Sequence, residues 1–372
     1  MKKSALHFFF VVASFFIFSL VSCSSVSNIK KKRWPDAGLA DKKYQKFNKI
    51  ADDYLTGIKF SGAVLVGKNG KIIFAKGYGV CDEKSPDPAK SPIGINTTFE
   101  AGSITKQLTA AAIMQLVEKR KLAVSDKVSK FFPDFAAGKD ITIEMLLNMR
   151  SGLTDHINSA DEFFPKNIYR HIENNQMACK SVDENIVLDY LNEAPLLADP
   201  DSTYFYCNTN YYLLARIIEQ VSGESYSDYI RKNIFETCGM SSSNLEFQKT
   251  DAKGYDHKKR YYSIPAALSL GCGDLNSSVV DLFRWNTFFA NGKVVKKKTF
   301  KKMIDSDSYG YGVYRHDDSI FHAGVTNVFN SYDGYYMKDK ISVIVLSNTP
   351  VGQMNTTVVA RILYKLWEEE NA

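Results

Sequence analysis

Residues 62–79 read GAVLVGKNGKIIFAKGYG, in which two runs of strand-forming residues flank the pair Asn69-Gly70. Both residues of an Asn-Gly pair tolerate positive φ, which makes this pair the strongest short signal for a β-hairpin. The stretch therefore predicts two antiparallel strands, at residues 62–66 and 71–76. These strands are the starting point of a sheet.

Around this hairpin the hydrophobic spacing predicts helices first and strands later. Apolar residues recur at helical spacing over residues 40–57, and a long helix with one apolar face begins at Ser103. Helical patterns dominate from there to about residue 235, and Gly223 fits the left-handed position that ends a helix. The C-terminal third returns to extended patterns followed by one helix, at residues 309–314, 328–337, 341–346 and 356–370.

The most economical arrangement of these elements is a single antiparallel sheet built from both ends of the chain. Its class is α+β, with N- and C-terminal helices that flank the sheet and an all-helical region inserted between its two halves. We assign residues 40–100 and 270–372 to the sheet part and residues 101–269 to the mainly helical part of one domain, residues 40–372.

The composition is that of a soluble globular protein, with 372 residues of which 45% are hydrophobic and 24% charged. It excludes a disordered chain, a collagen-like chain and a multi-span membrane protein. The formal net charge of +6 is small and spread along the sequence, whereas nucleic-acid binding usually needs a dense basic face. We therefore expect no nucleic-acid partner.

The N-terminus has the features of a secretion signal. Lys2 and Lys3 precede an apolar run at residues 8–20. At about 13 residues this run is too short for a bilayer span, which needs roughly 20, and it has the length of a signal-peptide core.

The run ends in LVSC, residues 20–23, which resembles the lipobox of bacterial lipoproteins; an ordinary signal peptide is the alternative. The resemblance implies that the signal peptide, residues 1–22, is removed and that Cys23 is lipidated. Residues 23–39, which include a basic cluster, then form a spacer. The expected location is the cell envelope, with a membrane-anchored lipoprotein that faces the periplasm or the outer surface.

The first motif with chemical content is Ser103-Ile104-Thr105-Lys106. Positions i and i+3 of a helix share a face, so the hydroxyl of Ser103 and the amine of Lys106 lie side by side. A serine needs an adjacent base, and a lysine becomes that base when its pKa is lowered. The alternative is a capping serine with a surface lysine, and a second S-x-x-K at residues 27–30 shows that the pattern also arises by chance.

Two further motifs follow along the chain. In Tyr206-Cys207-Asn208 a tyrosine near a lysine cation can be partly a phenolate and transfer a proton, and Asn208 offers a donor and an acceptor to a substrate amide. In His322-Ala323-Gly324 the glycine lets a ligand approach the backbone, and His322 can donate to a substrate carboxylate. Each motif alone is weak, because most tyrosines and lone histidines are structural.

In this order the three motifs resemble those of the serine β-lactamase-like family, in the branch of class C β-lactamases, D-alanyl-D-alanine carboxypeptidases and related esterases. The resemblance covers about residues 40–370. It includes the opening hairpin with Gly77-Tyr78-Gly79, the segment MLLNMRSGL at residues 145–153, Gly310-Tyr311-Gly312, and VLSN at residues 345–348. It implies a β-lactamase/transpeptidase-like fold, a site in the cleft between the sheet and the helical region, and no need for a cofactor or a metal.

The resemblance also implies a role for each matching residue. Ser103 is the acylated nucleophile and Lys106 takes its proton. Tyr206 shares that task, protonates the leaving group and later activates water. Asn208 orients the substrate amide. The oxyanion hole consists of the backbone N–H groups of Ser103 and of Val325, which follows the third motif.

The expected substrates are D-Ala-D-Ala-type peptides or β-lactams, and small esters are the competing class. A lipoprotein that binds penicillins or muropeptides without turnover is the alternative outside enzymes. Two departures from the family pattern bear on this choice. His322 stands where typical class C β-lactamases have lysine, and a mostly neutral imidazole binds a carboxylate less strongly, which favours a carboxypeptidase or an esterase. Cys207 stands where serine is usual, so its thiol beside Tyr206 is a candidate for oxidation.

Other candidate sites are weaker. The sequence contains neither a G-x-S-x-G elbow nor an H-E-x-x-H motif, and none of its cysteines forms a C-x-x-C pair. We interpret Asp155-His156 as a helix start near the mouth of the cleft, and Cys272, between two glycines, as part of a tight turn.

Overall fold

The computed structural model describes residues 42–158, 186–246, 249–256, 259–260, 266–326, 328–350, 352 and 354–371. All of these residues belong to one compact unit of the chain, Arg33–Ala372. The signal peptide, the lipidation of Cys23 and the spacer lie outside the described residues and stay predictions.

The described strands are β1 (Gly62–Lys68), β2 (Lys71–Tyr78), β3 (Phe99–Glu100), β4 (Tyr255–Asp256), β5 (Lys259–Arg260), β6 (Asn276–Ser277), β7 (Tyr314–His316), β8 (Ser319–Val325), β9 (Asn330–Tyr336) and β10 (Ile341–Ser347). Six of them form an antiparallel sheet in the order β2-β1-β10-β9-β8-β7. Because β1 lies beside β10, both ends of the chain contribute to this sheet. The predicted α+β class is confirmed.

The predicted hairpin is confirmed as well. At the turn between β1 and β2, Asn69 and Gly70 have φ angles of 51° and 74°, the left-handed values that the sequence pair was expected to adopt. The extended stretch predicted at residues 309–314 is wrong, because strand β7 begins only at Tyr314. Gly312 has a φ of 75° and bends the chain close to the backbone of Lys106.

The described α-helices are α1 (Gln45–Gly57), α2 (Thr105–Glu118), α3 (Ile143–Leu147), α4 (Ile186–Glu193), α5 (Asn208–Ser222), α6 (Tyr226–Ile230), α7 (Glu236–Cys238), α8 (Ala266–Ser269), α9 (Val279–Ala290), α10 (Lys297–Met303) and α11 (Thr356–Asn371). The terminal helices and the left-handed cap at Gly223 (φ 75°) match the prediction, whereas α9 and α10 lie in the part assigned to the sheet, where the sequence predicts no helix before the last one. No helix among the described residues is long and apolar enough to cross a membrane.

The central strands are buried on both faces, and successive side chains serve two different cores. Val64 and Val66 of β1 face one core, which the terminal helices α1 and α11 cover. Ala63 and Leu65 face the other core, which contains α2 and α5. The sheet therefore lies between a layer of terminal helices and the larger helical region.

Helix α2 lies inside this second core rather than on its surface. Residues 105–116 are all buried, and they include the polar side chains of Lys106 and Gln107. The prediction of a helix with one apolar face is therefore wrong, because the sheet and α5 pack around α2. This packing matters for function, because it removes Lys106 from water.

Candidate active site

Ser103 lies on a 3-10 turn, Gly102–Ile104, at the start of α2. Gly102 has a φ of 53°, and a Cβ atom there would lie 3.2 Å from the backbone nitrogen of Val325. A Cβ atom at Gly324 would lie 2.0 Å from the carbonyl oxygen of Ala101. The two glycines thus allow the end of β8 to approach the turn that carries Ser103. This approach brings the backbone of Val325 next to that turn, as the expected oxyanion hole requires.

Lys106 is fully buried and has three polar neighbours. Its Nζ lies 3.0 Å from Ser103 Oγ, 2.8 Å from Asn208 Oδ1 and 2.7 Å from the carbonyl oxygen of Cys272. Burial lowers the pKa of the Lys106 amine below its ordinary value, although the negative groups around it oppose the shift.

These three distances orient the amine. The oxygens of Asn208 and Cys272 can only accept hydrogen bonds, so each takes one N–H of Lys106. In the neutral amine the remaining position on Nζ is the lone pair, and it faces Ser103 Oγ. A lone pair in this position can accept the hydroxyl proton.

The orientation of Asn208 depends on Asp155. The backbone N–H of Asn208 donates to Asp155 Oδ2 at 2.9 Å, and its side-chain Nδ2 donates to the same oxygen at 3.0 Å. Because Nδ2 is held by a carboxylate, Oδ1 must point towards Lys106. In the structure Asn208 therefore holds the base, in addition to the contact with a substrate amide that the sequence predicts.

Asp155 and His156 do not lie at an exposed mouth of the cleft, because both are buried. The predicted helix start there stays a prediction, because the residues that would form the helix, from 159 on, lie outside the described residues. Asp155 is buried and accepts the backbone N–H groups of Ile157 and Asn158 at 2.8 and 2.9 Å, in addition to its bonds to Asn208. His156 is buried too, and burial lowers its pKa. Its ring nitrogens contact Thr209 Oγ1 (3.0 Å) and the carbonyl of Leu268 (2.7 Å). The sequence contains one indication that Asp155 and His156 support the site: they form a polar pair soon after the segment at residues 145–153.

Tyr206 lies next to both Ser103 and Lys106. Its hydroxyl lies close enough to the Ser103 side chain for that group to act on its pKa, and Lys106 Nζ lies 4.9 Å from the centroid of its ring. Burial raises the pKa of Tyr206 well above its ordinary value, and the nearby Ser103 hydroxyl lowers it by less. The expectation of a partial phenolate is therefore wrong. In the resting site Tyr206 is a neutral phenol, whereas burial moves Lys106 in the direction of a neutral amine.

His322 is buried beside this group, with an exposed fraction of 1%. Its Nδ1 lies 2.7 Å from the carbonyl oxygen of Ala323, and its Nε2 lies 3.2 Å from the hydroxyl of Tyr309. Burial, together with the charge of Lys106, lowers the pKa of His322 to about 3. The imidazole is neutral at pH 7, and both of its nitrogens have partners within the protein.

The thiols near the site are unreactive. Cys207 and Cys272 are buried, and burial raises the pKa of each to about 12. A thiol with such a pKa is not a thiolate at neutral pH and reacts slowly with oxidants. The interpretation of Cys272 as part of a tight turn agrees with the structure, where its carbonyl, rather than its thiol, contacts Lys106. Cys207 is not positioned for ready oxidation.

The described residues contain no group of three or more His, Cys, Asp or Glu side chains that could hold a metal ion. What the site does assemble is a serine hydroxyl, a desolvated amine, a neutral phenol and a close backbone approach at Val325. These are the parts that acyl transfer through a nucleophilic serine needs.

Comparison with known proteins gives an independent view of the chain. The model of the family described as Beta-lactamase matches residues 47–363. PbpX of Bacillus subtilis (strain 168), named as a penicillin-binding protein, is 30% identical over 367 residues, which cover 93% of this chain and 86% of that protein. Penicillin-binding protein 4* of the same organism is 26% identical and covers 78% of this chain and 68% of that protein.

Solved structures agree in fold. The octameric penicillin-binding protein homologue from Pyrococcus abyssi superposes with a TM-score of 0.70 at 28% identity, and covers 86% of this chain and 76% of that one. FmtA from Staphylococcus aureus superposes with a TM-score of 0.70 at 24% identity, and covers 88% and 90% of the two chains. At its lower identity, FmtA supports the fold alone.

Proposed function

The chain belongs to the β-lactamase family of serine hydrolases, and from this premise we propose that it hydrolyses its substrates through an acyl-enzyme on Ser103. The proposed substrates are peptides of the D-Ala-D-Ala type and the β-lactams that resemble them. One observation carries the proposal: Lys106 is buried, its two carbonyl partners orient it, and its Nζ lies 3.0 Å from Ser103 Oγ.

In the proposed first step the neutral amine of Lys106 accepts the proton of Ser103 as Oγ forms a bond to the substrate carbonyl carbon. The carbonyl oxygen becomes an oxyanion, which the backbone N–H groups of Ser103 and Val325 stabilise. Removal of one such donor typically costs about 2.7–4 kcal/mol in the barrier, so this contact and the base together supply much of the rate.

In the second step the bond between the carbonyl carbon and the leaving group breaks. Tyr206, a neutral phenol near Ser103, gives its proton to the departing nitrogen or oxygen and regains one from the Lys106 ammonium. Water then enters, loses a proton to Lys106, and attacks the acyl carbon. The acid product leaves and Ser103 regains its proton, so the cycle restores every group.

Small esters are a second candidate substrate class. The observation that favours them is the exposed apolar surface beside the site, where Tyr204, Phe205 and Val325 are 38%, 40% and 56% exposed. Such a surface suits an uncharged substrate better than a charged one.

The test is time-resolved intact-protein mass spectrometry of the full chain mixed with p-nitrophenyl acetate and, separately, with a penicillin. We expect an adduct of the mass of the acyl group, mapped to Ser103, that forms and decays as the nitrophenyl ester is consumed. Ser103→Ala removes the adduct, whereas Ser27→Ala, a matched control in the second S-x-x-K, keeps it. A folded wild-type protein without adduct or hydrolysis contradicts the proposal and favours a binding protein without turnover.

We also propose that the protein is a lipoprotein anchored through Cys23 in the cell envelope. The support is the sequence at residues 1–23, namely two lysines, an apolar run and LVSC. Expression of the full chain in a bacterium fed a tagged fatty acid tests it. The label is expected on the wild type and lost in Cys23→Ala, and an unlabelled wild type contradicts the proposal.

A further inference from the structure

The leaving group must depart next to the residue that protonates it. The ring of Tyr206 packs against the rings of Tyr309 (6.2 Å between centroids), Tyr314 (6.4 Å) and His322 (6.1 Å). Tyr204 joins them through Tyr309, with 5.9 Å between ring centroids. We call these five side chains the aromatic wall. If Tyr206 is the proton donor, the leaving group lies beside this wall.

His322 has no N–H to offer to a ligand at this wall. The carbonyl oxygen of Ala323 can only accept a hydrogen bond, so Nδ1 of the neutral imidazole carries the proton and donates it there at 2.7 Å. Nε2 therefore has a lone pair, and the hydroxyl of Tyr309 donates to it at 3.2 Å. A substrate carboxylate, which needs a donor, meets none on this ring.

Tyr206 and Tyr309 are neutral phenols, and three basic side chains beside the wall, Lys106, Arg150 and Lys302, already have partners. Those of Lys106 are Asn208 and Cys272. Burial raises the pKa of the Tyr309 hydroxyl well above its ordinary value, as it does for Tyr206. Arg150 and Lys302 line a pocket of about 420 Å³ together with two rings of the wall. Arg150 is bound to Asp201 at 2.7 Å, and Lys302 lies 3.5 Å from a carboxylate oxygen of Glu144.

A carboxylate at the aromatic wall would lose water without gaining a counter-charge. The hydroxyl of Tyr314, which accepts from Tyr204 at 3.3 Å, keeps a proton to donate, but a neutral donor does not replace a cation. Burying an unpaired charge is far more costly than burying a neutral amide or ester, and the neutral group also gains contact with the rings. This difference in the cost of burial applies to the leaving group, because the leaving group is the part of the substrate that lies beside the wall. Selection between charged and neutral leaving groups therefore follows from the described side chains.

We propose that the site prefers acyl donors whose leaving group is uncharged over donors whose leaving group ends in a free carboxylate. Such donors are peptides that continue beyond the scissile bond, C-terminal amides, and esters. The inference rests on the proposed acyl-enzyme at Ser103 and re-ranks its proposed substrates. D-Ala-D-Ala peptides with a free C-terminus and β-lactams carry a carboxylate on the leaving part, so they rank below amides and esters. It favours an amidase, endopeptidase or esterase type of cleavage over removal of a C-terminal amino acid.

The experiment compares two matched substrates of the full-chain wild type, an N-acetylated D-Ala-D-Ala dipeptide and its C-terminal amide. We expect kcat/KM to be higher for the amide by about tenfold or more, because an unpaired buried charge costs at least as much as the 1.4 kcal/mol that tenfold represents. Equal values, or a higher value for the free acid, overturn the proposal.

His322→Lys provides a second arm, because an ammonium at this position gives a carboxylate the partner that the wall lacks. The ratio of kcat/KM for amide over acid is expected to fall by about tenfold or more. An unchanged ratio in a folded variant overturns the proposal, and if the variant does not fold, the wild-type ratio decides alone. Hydrolysis of p-nitrophenyl acetate by the wild type, lost in Ser103→Ala, distinguishes failure of the proposed function from failure of the preference. If the wild type does not hydrolyse this ester, both the proposed function and the preference are overturned. Hydrolysis of the ester with a preference for the acid overturns only the preference.

Discussion

Lys106 and His322 are both buried bases beside the same nucleophile, yet their surroundings prepare them for different tasks. Burial lowers the pKa of each. Lys106 has carbonyl acceptors for two N–H groups, and its Nζ lies 3.0 Å from Ser103 Oγ, the direction in which the neutral amine has its lone pair. His322 gives its one N–H to the carbonyl of Ala323, and its lone pair is taken by the hydroxyl of Tyr309.

The comparison teaches that burial alone does not make a catalytic base. Burial makes both groups neutral or closer to neutral, but the acceptors around each one decide where its lone pair points. The lone pair of Lys106 points to the hydroxyl of the nucleophile Ser103, and the lone pair of His322 points to the hydroxyl of Tyr309, which has a structural role. Lys106 therefore serves the reaction at Ser103, whereas His322 affects which leaving groups the site accepts.

The largest expected effect is the loss of the base. In Lys106→Met a side chain of similar length fills the cavity but accepts no proton from Ser103. We expect kcat/KM for a nitrophenyl ester to fall by about 10²–10⁴-fold, the range of general base catalysis. Lys30→Met in the second S-x-x-K is the control and should keep full activity. Retained activity in a folded Lys106→Met would place the base elsewhere.

The next largest expected effect is the loss of the proton donor Tyr206, which should depend on the leaving group. Tyr206→Phe removes the proton donor, so hydrolysis of a peptide amide should fall by about 10²-fold. A nitrophenolate departs without a proton, so acylation by the nitrophenyl ester should fall much less. Parallel kcat/KM measurements on the two substrates test this split. Equal losses on both would mean that Tyr206 acts on Ser103 rather than on the leaving group.

A smaller effect is expected at Asp155, which positions Asn208. Asp155→Asn replaces an acceptor with a donor opposite the N–H groups of Asn208, so Oδ1 of Asn208 no longer stays fixed on Lys106. We expect kcat to fall by about tenfold, roughly the 1–3 kcal/mol of an unsatisfied buried group.

The same substitution removes a negative charge that raises the pKa of Lys106, so the acid limb of the pH profile should move to lower pH. Asp281→Asn is the matched control, because Asp281 is also buried and accepts backbone N–H groups, those of Ser242 and Ser243 at 2.7 and 2.9 Å. It should lower the melting temperature without moving the acid limb. If both variants behave alike, Asp155 is only structural.

The last prediction concerns the free energy of unfolding rather than activity. It involves Asp333, a buried carboxyl group that has hydrogen bonds but no cation beside it among the described residues. Asp333 accepts from Gln107 at 3.1 Å and from Asn286 at 2.5 Å, and burial raises its pKa to about 7, against about 3.9 in the unfolded chain. Between these values the folded state binds more protons, so this group's contribution to the free energy of unfolding falls as pH rises from about 4 to about 7.

Asp333→Asn removes this titration. The difference in melting temperature between the wild type and Asp333→Asn should therefore shift against the wild type as pH rises through that window. Asp305→Asn, at an exposed carboxylate, is the control and should show a flat difference. A flat difference for Asp333→Asn as well would mean that its pKa is ordinary in the folded state.

Much of the fold could be predicted because its signals are local. The Asn69-Gly70 turn, the terminal helices and the central strands follow from residue type and spacing. The stretch at residues 309–314 misled because its aromatic residues favour a strand, whereas Gly310 and Gly312 serve a bend against the backbones of Met303 and Lys106. Such a close approach is a tertiary feature without a local signature.

The candidate site also has features that local sequence signals predict and features that depend on tertiary packing. The spacing of Ser103 and Lys106 was enough to place them together. The role of Asp155 could not be predicted, because it depends on a contact with Asn208 that spans 53 positions of the sequence. The neutral state of Tyr206 also depends on burial, which residue spacing does not reveal. Residue identity thus indicated the chemistry, while packing sets the protonation states.

The most direct test of the central claim, that a desolvated Lys106 activates Ser103, is the pH dependence of Ser103 acylation. Formation of the acyl adduct from a nitrophenyl ester is followed by rapid quench and intact-protein mass spectrometry. We predict a rate that rises with pH along one ionisation, with a pKa below the ordinary lysine value of about 10.4, and that this ionisation is absent in Lys106→Met. A rate independent of pH, or the same ionisation in Lys106→Met, would contradict the account.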